Sequence, residues 1–71
     1  MKKIRINPDI YSLNSIERTR TAYMEYAKIK VQQNGSDVII IFTDCRYDED
    51  QTVKEFENYL IGLENAGYGS Y

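Results

Sequence analysis

The chain contains no histidine and no tryptophan, and only one cysteine, one proline and four glycines among its 71 residues. Each shortage excludes something. A lone cysteine cannot close an internal disulfide, and without histidine the usual nitrogen-and-sulfur zinc site cannot be assembled. No nucleophile can be paired with an imidazole base. There is no Gly-rich phosphate loop and no Gly-x-Ser-x-Gly turn. The longest apolar run, Val38-Ile39-Ile40-Ile41-Phe42, falls far short of the about 20 residues a spanning helix needs. Met1-Lys2-Lys3 resembles the charged start of a signal peptide, but Arg5, Asn7, Pro8 and Asp9 interrupt where an apolar region would follow. Export and membrane insertion are therefore not expected. A single free thiol suits a reducing compartment, so a cytoplasmic location is expected.

What remains is ordinary for a folding chain: 42% hydrophobic, 28% charged, net charge -2. The length allows one domain. A core of this size seldom supplies more than about 3–5 kcal/mol without a disulfide, a metal or a partner. The first two are missing; the third stays open.

Hydrophobic periodicity orders the elements. From Lys2 to Asn7, Ile4 and Ile6 alternate with Lys3, Arg5 and Asn7, which predicts a short strand ended by Pro8. A helix follows, capped by Ser12 or Asn14 and running to about Tyr26, with Leu13, Ile16, Arg20, Tyr23 and Ala27 on one stripe. Asn14 and Glu17 have the spacing of a capping box. Ala27 to Gln33 returns to period two, and Asn34-Gly35 predicts a hairpin turn into a strand over Val38 to Thr43. The acidic stretch around Asp44, Asp48, Glu49 and Asp50 reads as a loop and helix start. Val53, Phe56, Leu60 and Leu63 then predict a second amphipathic helix from about Gln51, stopped by Gly67. The expectation is a single α+β domain over residues 1–66 with a flexible tail at 67–71. Its architecture is a two-layer β-α-β-β-α sandwich: a three-stranded mixed sheet, the third strand central and antiparallel to both neighbours, and both helices on one face.

Strand parity adds a functional expectation. A turn at Asn34-Gly35 would pair Val31 with Val38, Ile29 with Ile40 and Ala27 with Phe42 on the core face. Ile39 and Ile41 must then point the other way. Their expected neighbours are Lys28, Lys30, Lys3 and Arg5, a basic rim around an apolar centre, while the helix side carries Glu55, Glu57 and Glu64. Central-strand isoleucines can serve β-propensity alone. The alternative is that the open face meets another chain. The candidate partner-binding residues are Ile39 and Ile41 as anchors with Lys28, Lys30 and Arg5 as rim charges. The edge strands around Ile4 and Ile29 could also accept an extended peptide.

Other constellations carry less. Cys45 has no base to activate it, and neighbouring acids would raise its pKa. Asp44, Asp48, Glu49 and Asp50 lack the Asp-x-Asp-x-Asp-Gly pattern of a calcium loop and suit a helix N-terminus. No catalytic residue, metal ligand or cofactor site is expected. Nucleic acid is not expected either, because pI is ≈ 5.0 and no aromatic lies on the exposed side of a strand. Tyr11, Tyr23, Tyr26 and Tyr59 are expected to be half-buried helix residues with hydroxyls in water.

One resemblance extends this reading. Ile10-Tyr11-Ser12-Leu13-x-x-Ile16, then Ala22-Tyr23 ahead of Ala27-x-Ile29-x-Val31, resembles the small D-type (HxsD-like) proteins of His-Xaa-Ser peptide-maturation systems. In that family Tyr-Ser-Leu-x-x-Ile opens the first helix, and Glu-Phe-x-Asn-x-Leu-Leu lies in the last; here the latter reads Glu55-Phe56-Glu57-Asn58-Tyr59-Leu60-Ile61. The similarity covers roughly residues 4 to 65, and relatives are expected to continue in helical sequence beyond that. It implies a small accessory protein working beside a radical SAM enzyme on a ribosomally made peptide. The implied function is a non-enzymatic adaptor that binds a precursor peptide, a radical SAM maturase, or both. The alternative is a self-associating module, a homodimer through the sheet.

Overall fold

The computed structural model describes residues 1–66 and shows the element order β1 (Lys2–Ile6), α1 (Leu13–Tyr23), β2 (Lys28–Asn34), β3 (Asp37–Thr43) and α2 (Glu49–Asn65). The strands lie in the order β1-β3-β2, with β3 in the middle as its apolar run requires. Both ladders are antiparallel. The sheet is therefore not mixed in its hydrogen bonding. The parallel relation of β1 and β2 expected from the α1 crossover exists, but β3 separates them. The expected tail at 67–71 and the Gly67 stop lie outside the described residues.

Along β3 burial alternates residue by residue: Val38, Ile40 and Phe42 are buried, while Asp37, Ile39, Ile41 and Thr43 are only half-covered. The buried set joins Ile6, Ile16, Val53, Phe56 and Leu60 in one core, with the Phe42 and Phe56 rings edge-to-face at 5.0 Å. Both helices thus cover one face.

The hairpin register differs from the sequence expectation. Asn34 pairs with Asp37, so the two-residue loop is Gly35-Ser36, and Val31 faces Ile40 while Ile29 faces Phe42. Gly35 adopts φ +64, the positive φ at the first loop position that a type II′ turn needs. The shift moves each partner by two residues. Period two therefore leaves every side chain on its expected face. Ala27 is buried but precedes β2.

The helices begin and end on local chemistry. Ser12, not Asn14, caps α1: its Oγ accepts the Ser15 N–H at 3.2 Å. The Asn14–Glu17 capping box does not form; Glu17 instead accepts from Arg20 Nε at 2.9 Å. The Ser12 N–H donates to Glu64 Oε1 of α2 at 2.7 Å, so the second half of the cap comes from the neighbouring helix. Accepting that backbone N–H, and then the Ser15 hydroxyl, holds the Glu64 carboxyl below its ordinary pKa. Within α1, Ser15 and Thr19 are fully buried and Thr19 Oγ1 donates to the Ser15 carbonyl at 2.7 Å. These small side chains line the helix pair, whereas Leu13, at the first helical position, stays exposed. The helix stops at Tyr23, short of the expected Tyr26.

Asp48 caps α2, accepting the Gln51 N–H at 2.9 Å, so this helix starts two residues before the expected Gln51. Glu49 and Asp50 in its first turn meet the amino terminus at 3.0 Å and Lys2 Nζ at 2.8 Å. The acidic cluster therefore neutralises the helix end and ties β1 to it. Leu63 is half-buried and lies outside the core.

Candidate partner-binding face

Since both helices lie on the Val38–Ile40–Phe42 side, the opposite face of the sheet carries no covering layer among the described residues. Its composition follows from the two registers. Ile39 sits between Arg5 on β1 and Gln32 on β2; Ile41 sits between Lys3 and Lys30; Thr43 pairs with Lys28. All the expected site residues, Ile39, Ile41, Lys28, Lys30 and Arg5, therefore share one face.

Their states differ. Ile39 and Ile41 are half-buried, not bare. Each is flanked on both sides by long side chains, whose methylene stems can lie along an aliphatic neighbour while their heads stay in water. Arg5 Nε lies 3.6 Å from Asp37 Oδ2, and Lys28 Nζ lies 3.2 Å from Asp44 Oδ2. Both pairs are solvent-exposed and worth about 0–1 kcal/mol. Lys3 and Lys30, which straddle Ile41, form no ion pair among the described residues. The centre of positive charge thus lies on the Lys3–Ile41–Lys30 row more than on Arg5 or Lys28. Sequence parity had placed Lys3 on this face without marking it as a contact residue; only the partnering of the other cations singles it out.

Next to that row, Lys3, Gln32, Gln33, Asn34 and Ile39 line a shallow hollow of ≈ 550 Å³. It offers amide donors and acceptors beside an aliphatic floor. β1 and β2 are both sheet edges, so their outer backbone groups are positioned to accept an added strand.

The other side of the molecule has the opposite charge. Glu55 and Glu57 are exposed on α2. Glu64 is only half-exposed, because its carboxylate turns to the Ser12 cap.

Cys45 is half-buried against the core, and burial, followed by Glu49 and Asp44, pushes its thiol pKa up. It is a poor thiolate. Among the described residues no group of His, Cys, Asp or Glu is placed to hold a metal ion, and no helix is long and apolar enough to cross a membrane.

The helix side carries a feature that the sequence does not announce. Tyr23, Tyr26, Tyr47 and Tyr59 converge from α1, the turn after it, the loop after β3 and α2 into one aromatic row, with neighbouring centroids 5.6–6.1 Å apart. Tyr26 is not a helix residue, and Tyr47 stands 65% exposed. No periodicity reports such a row, because its members come from a turn, a loop and two helices. Compared with protein families, curated proteins and solved structures, the chain matches none.

Proposed function

We propose that the chain is a non-enzymatic adaptor acting in the cytoplasm, and that its open sheet face holds an acidic peptide segment or an acidic patch of an enzyme partner. The observation that carries this reading is the Lys3–Ile41–Lys30 row beside Ile39: an aliphatic centre with two cations that form no ion pair, on a sheet face with no covering layer, among the described residues. Aliphatic contact gives such a face its affinity, and the flanking charges select an acidic occupant and speed its encounter. The resemblance to D-type proteins of His-Xaa-Ser systems supplies the candidates. The ligand would be a ribosomally made precursor peptide, presented to a radical SAM maturase that performs the chemistry.

Self-association through the sheet is the second reading, favoured by two half-buried isoleucines on an uncovered face. Charge weighs against it. A two-fold interface through this face would bring the basic row of one copy, Lys3 and Lys30, up to the same basic surface of the other, and like charges brought together across an interface are costly.

The test is the double variant Ile39→Lys/Ile41→Lys, assayed for partner capture from the native cell and for sedimentation. The adaptor reading expects a wild-type monomer that captures a partner and a variant that does not. A stable wild-type dimer abolished by the variant would establish the second reading in its place. Unchanged capture and unchanged mass in the variant would remove both.

A further inference from the structure

The aromatic row has a hollow of its own. Tyr23, Tyr26, Tyr47, Gln51, Thr52 and Glu55 line a space of ≈ 380 Å³ between the end of α1 and the first turns of α2. It lies on the helix side, away from Ile39 and Ile41.

The backbone around it is set with some care. After β3 the chain turns through Asp44 at φ 51, a left-handed conformation that a non-glycine residue adopts at some cost. Arg46 then donates its N–H to the Tyr26 carbonyl at 2.7 Å, which fixes the Tyr47 loop beside the Tyr26 turn. Tyr26 and Tyr47 end 6.1 Å apart, and Tyr23 and Tyr26 5.8 Å apart, at 45° and 62°. Core packing does not account for this. Tyr47 is 65% exposed, and neither Tyr26 nor Tyr47 contributes to the hydrophobic core.

The charge of the hollow is one-sided. Glu55 lines it, no basic residue does, and among the described residues Glu55 has no ion-pair partner. The Tyr23 hydroxyl donates to the Glu55 carbonyl oxygen at 3.3 Å. Several ring quadrupoles beside one carboxylate favour a cation, and cation–π attraction reaches to about 6 Å from a ring centroid. With centroids this close together, one charged group in the hollow lies within reach of more than one ring. The space is too open to enclose a free small molecule as a ligand pocket does. Its occupant must be held from outside as well, as a side chain on a longer chain is.

We propose that this hollow is a second binding site, independent of the sheet face, that receives a lysine or arginine side chain of a peptide segment against Tyr23, Tyr26 and Tyr47, with Glu55 as counter-ion. The probes are three capped tripeptides, Gly-Lys-Gly, Gly-Arg-Gly and Gly-norleucine-Gly, titrated into the full chain and followed by amide chemical shifts. The lysine and arginine peptides are expected to move the amides of Tyr23, Tyr26, Tyr47 and Glu55, and the uncharged norleucine peptide to leave them in place. Tyr47→Ala, at an exposed ring, and Glu55→Gln each weaken the lysine peptide about two- to fivefold, with the folded spectrum retained. Ile39→Lys/Ile41→Lys leaves this binding intact, so its outcome is separate from that of the sheet face. Equal binding of lysine and norleucine peptides overturns the proposal. So does a response centred on Lys3, Ile39 and Ile41, or none to any peptide.

Discussion

Ile40 and Ile41 are the same residue at adjacent positions of the same strand, and truncating each to alanine separates the two faces of the sheet. Ile40 is fully buried between Ile4 and Val31 and under the helices. Ile40→Ala removes its transfer energy and leaves a cavity, at about 2–5 kcal/mol. Ile41 is half-buried, with no layer above it among the described residues. Its truncation loses part of the about 1.5–3 kcal/mol that full burial of such a side chain is worth, and leaves no enclosed void. Adding some lost β-propensity brings Ile41→Ala to about 1 kcal/mol. A domain of this size has about 3–5 kcal/mol to lose. At about 4–8 °C per kcal/mol, Ile41→Ala is expected to lower Tm by one such step, and Ile40→Ala to leave little or no cooperative transition. Thermal and urea unfolding followed by far-ultraviolet circular dichroism measure both, with Ile40→Val, at about 0.5–1.5 kcal/mol, as the milder core variant. Equal losses at Ile40 and Ile41 would refute the assignment of an uncovered face. If the Ile41→Ala loss grew with protein concentration, the cover would be a second copy of the chain.

Three further outcomes follow from the turns and caps. Gly35→Ala forces a side chain into φ +64 and should cost about 1 kcal/mol in urea unfolding. Asp44→Gly relieves φ 51 and should at least preserve stability, since the Lys28 pair it removes is exposed, whereas a clear loss would show that the Asp44 side chain supports the turn. Glu64→Gln should lower Tm at neutral pH, because the carboxylate pKa is depressed by the Ser12 N–H. A depressed carboxyl contributes stability above its unfolded pKa and loses it as pH falls through the folded one, so the difference between variant and wild type should shrink in the acid range below 4.5. A gap that stayed constant from neutral to acid pH would mean that the charge of Glu64 plays no part in the cap.

Periodicity carried the order of the elements, through the alternation of β1 and β2 and the Val53, Phe56 and Leu60 stripe of α2. The buried face of α1, by contrast, is mostly polar, with Ser15 and Thr19 beside Ile16. β3 is apolar at every position from Val38 to Phe42, so its central place was legible from composition. Its buried and open faces were legible only from pairing it, across the Asn34-Gly35 turn, with the alternating Ile29 and Val31 of β2. Even a hairpin displaced by two residues kept those faces, since two is the period of a strand. The limits of the helices were less legible. Ser12 and Asn14 are both good caps by type; Ser12 is the one used, and its own N–H finds a partner in Glu64 from α2, which no local pattern reports. Likewise Arg5 and Lys28 look like free rim charges in the sequence, and become paired only when Asp37 and Asp44 are brought beside them.

Excluding disulfide, zinc site and histidine chemistry required only composition, because a residue type that is absent cannot act in any fold. Which face stays open required only the hairpin, because the Asn34-Gly35 turn pairs the uniformly apolar β3 with an alternating neighbour in the sequence. The charge on that face that finds no partner among the described residues, the cap that joins the two helices, and the row of Tyr23, Tyr26, Tyr47 and Tyr59 were decided by tertiary structure. Each depends on distances between residues far apart in the chain. Those distances are set by how the helices lie on the sheet, and no local pattern encodes them.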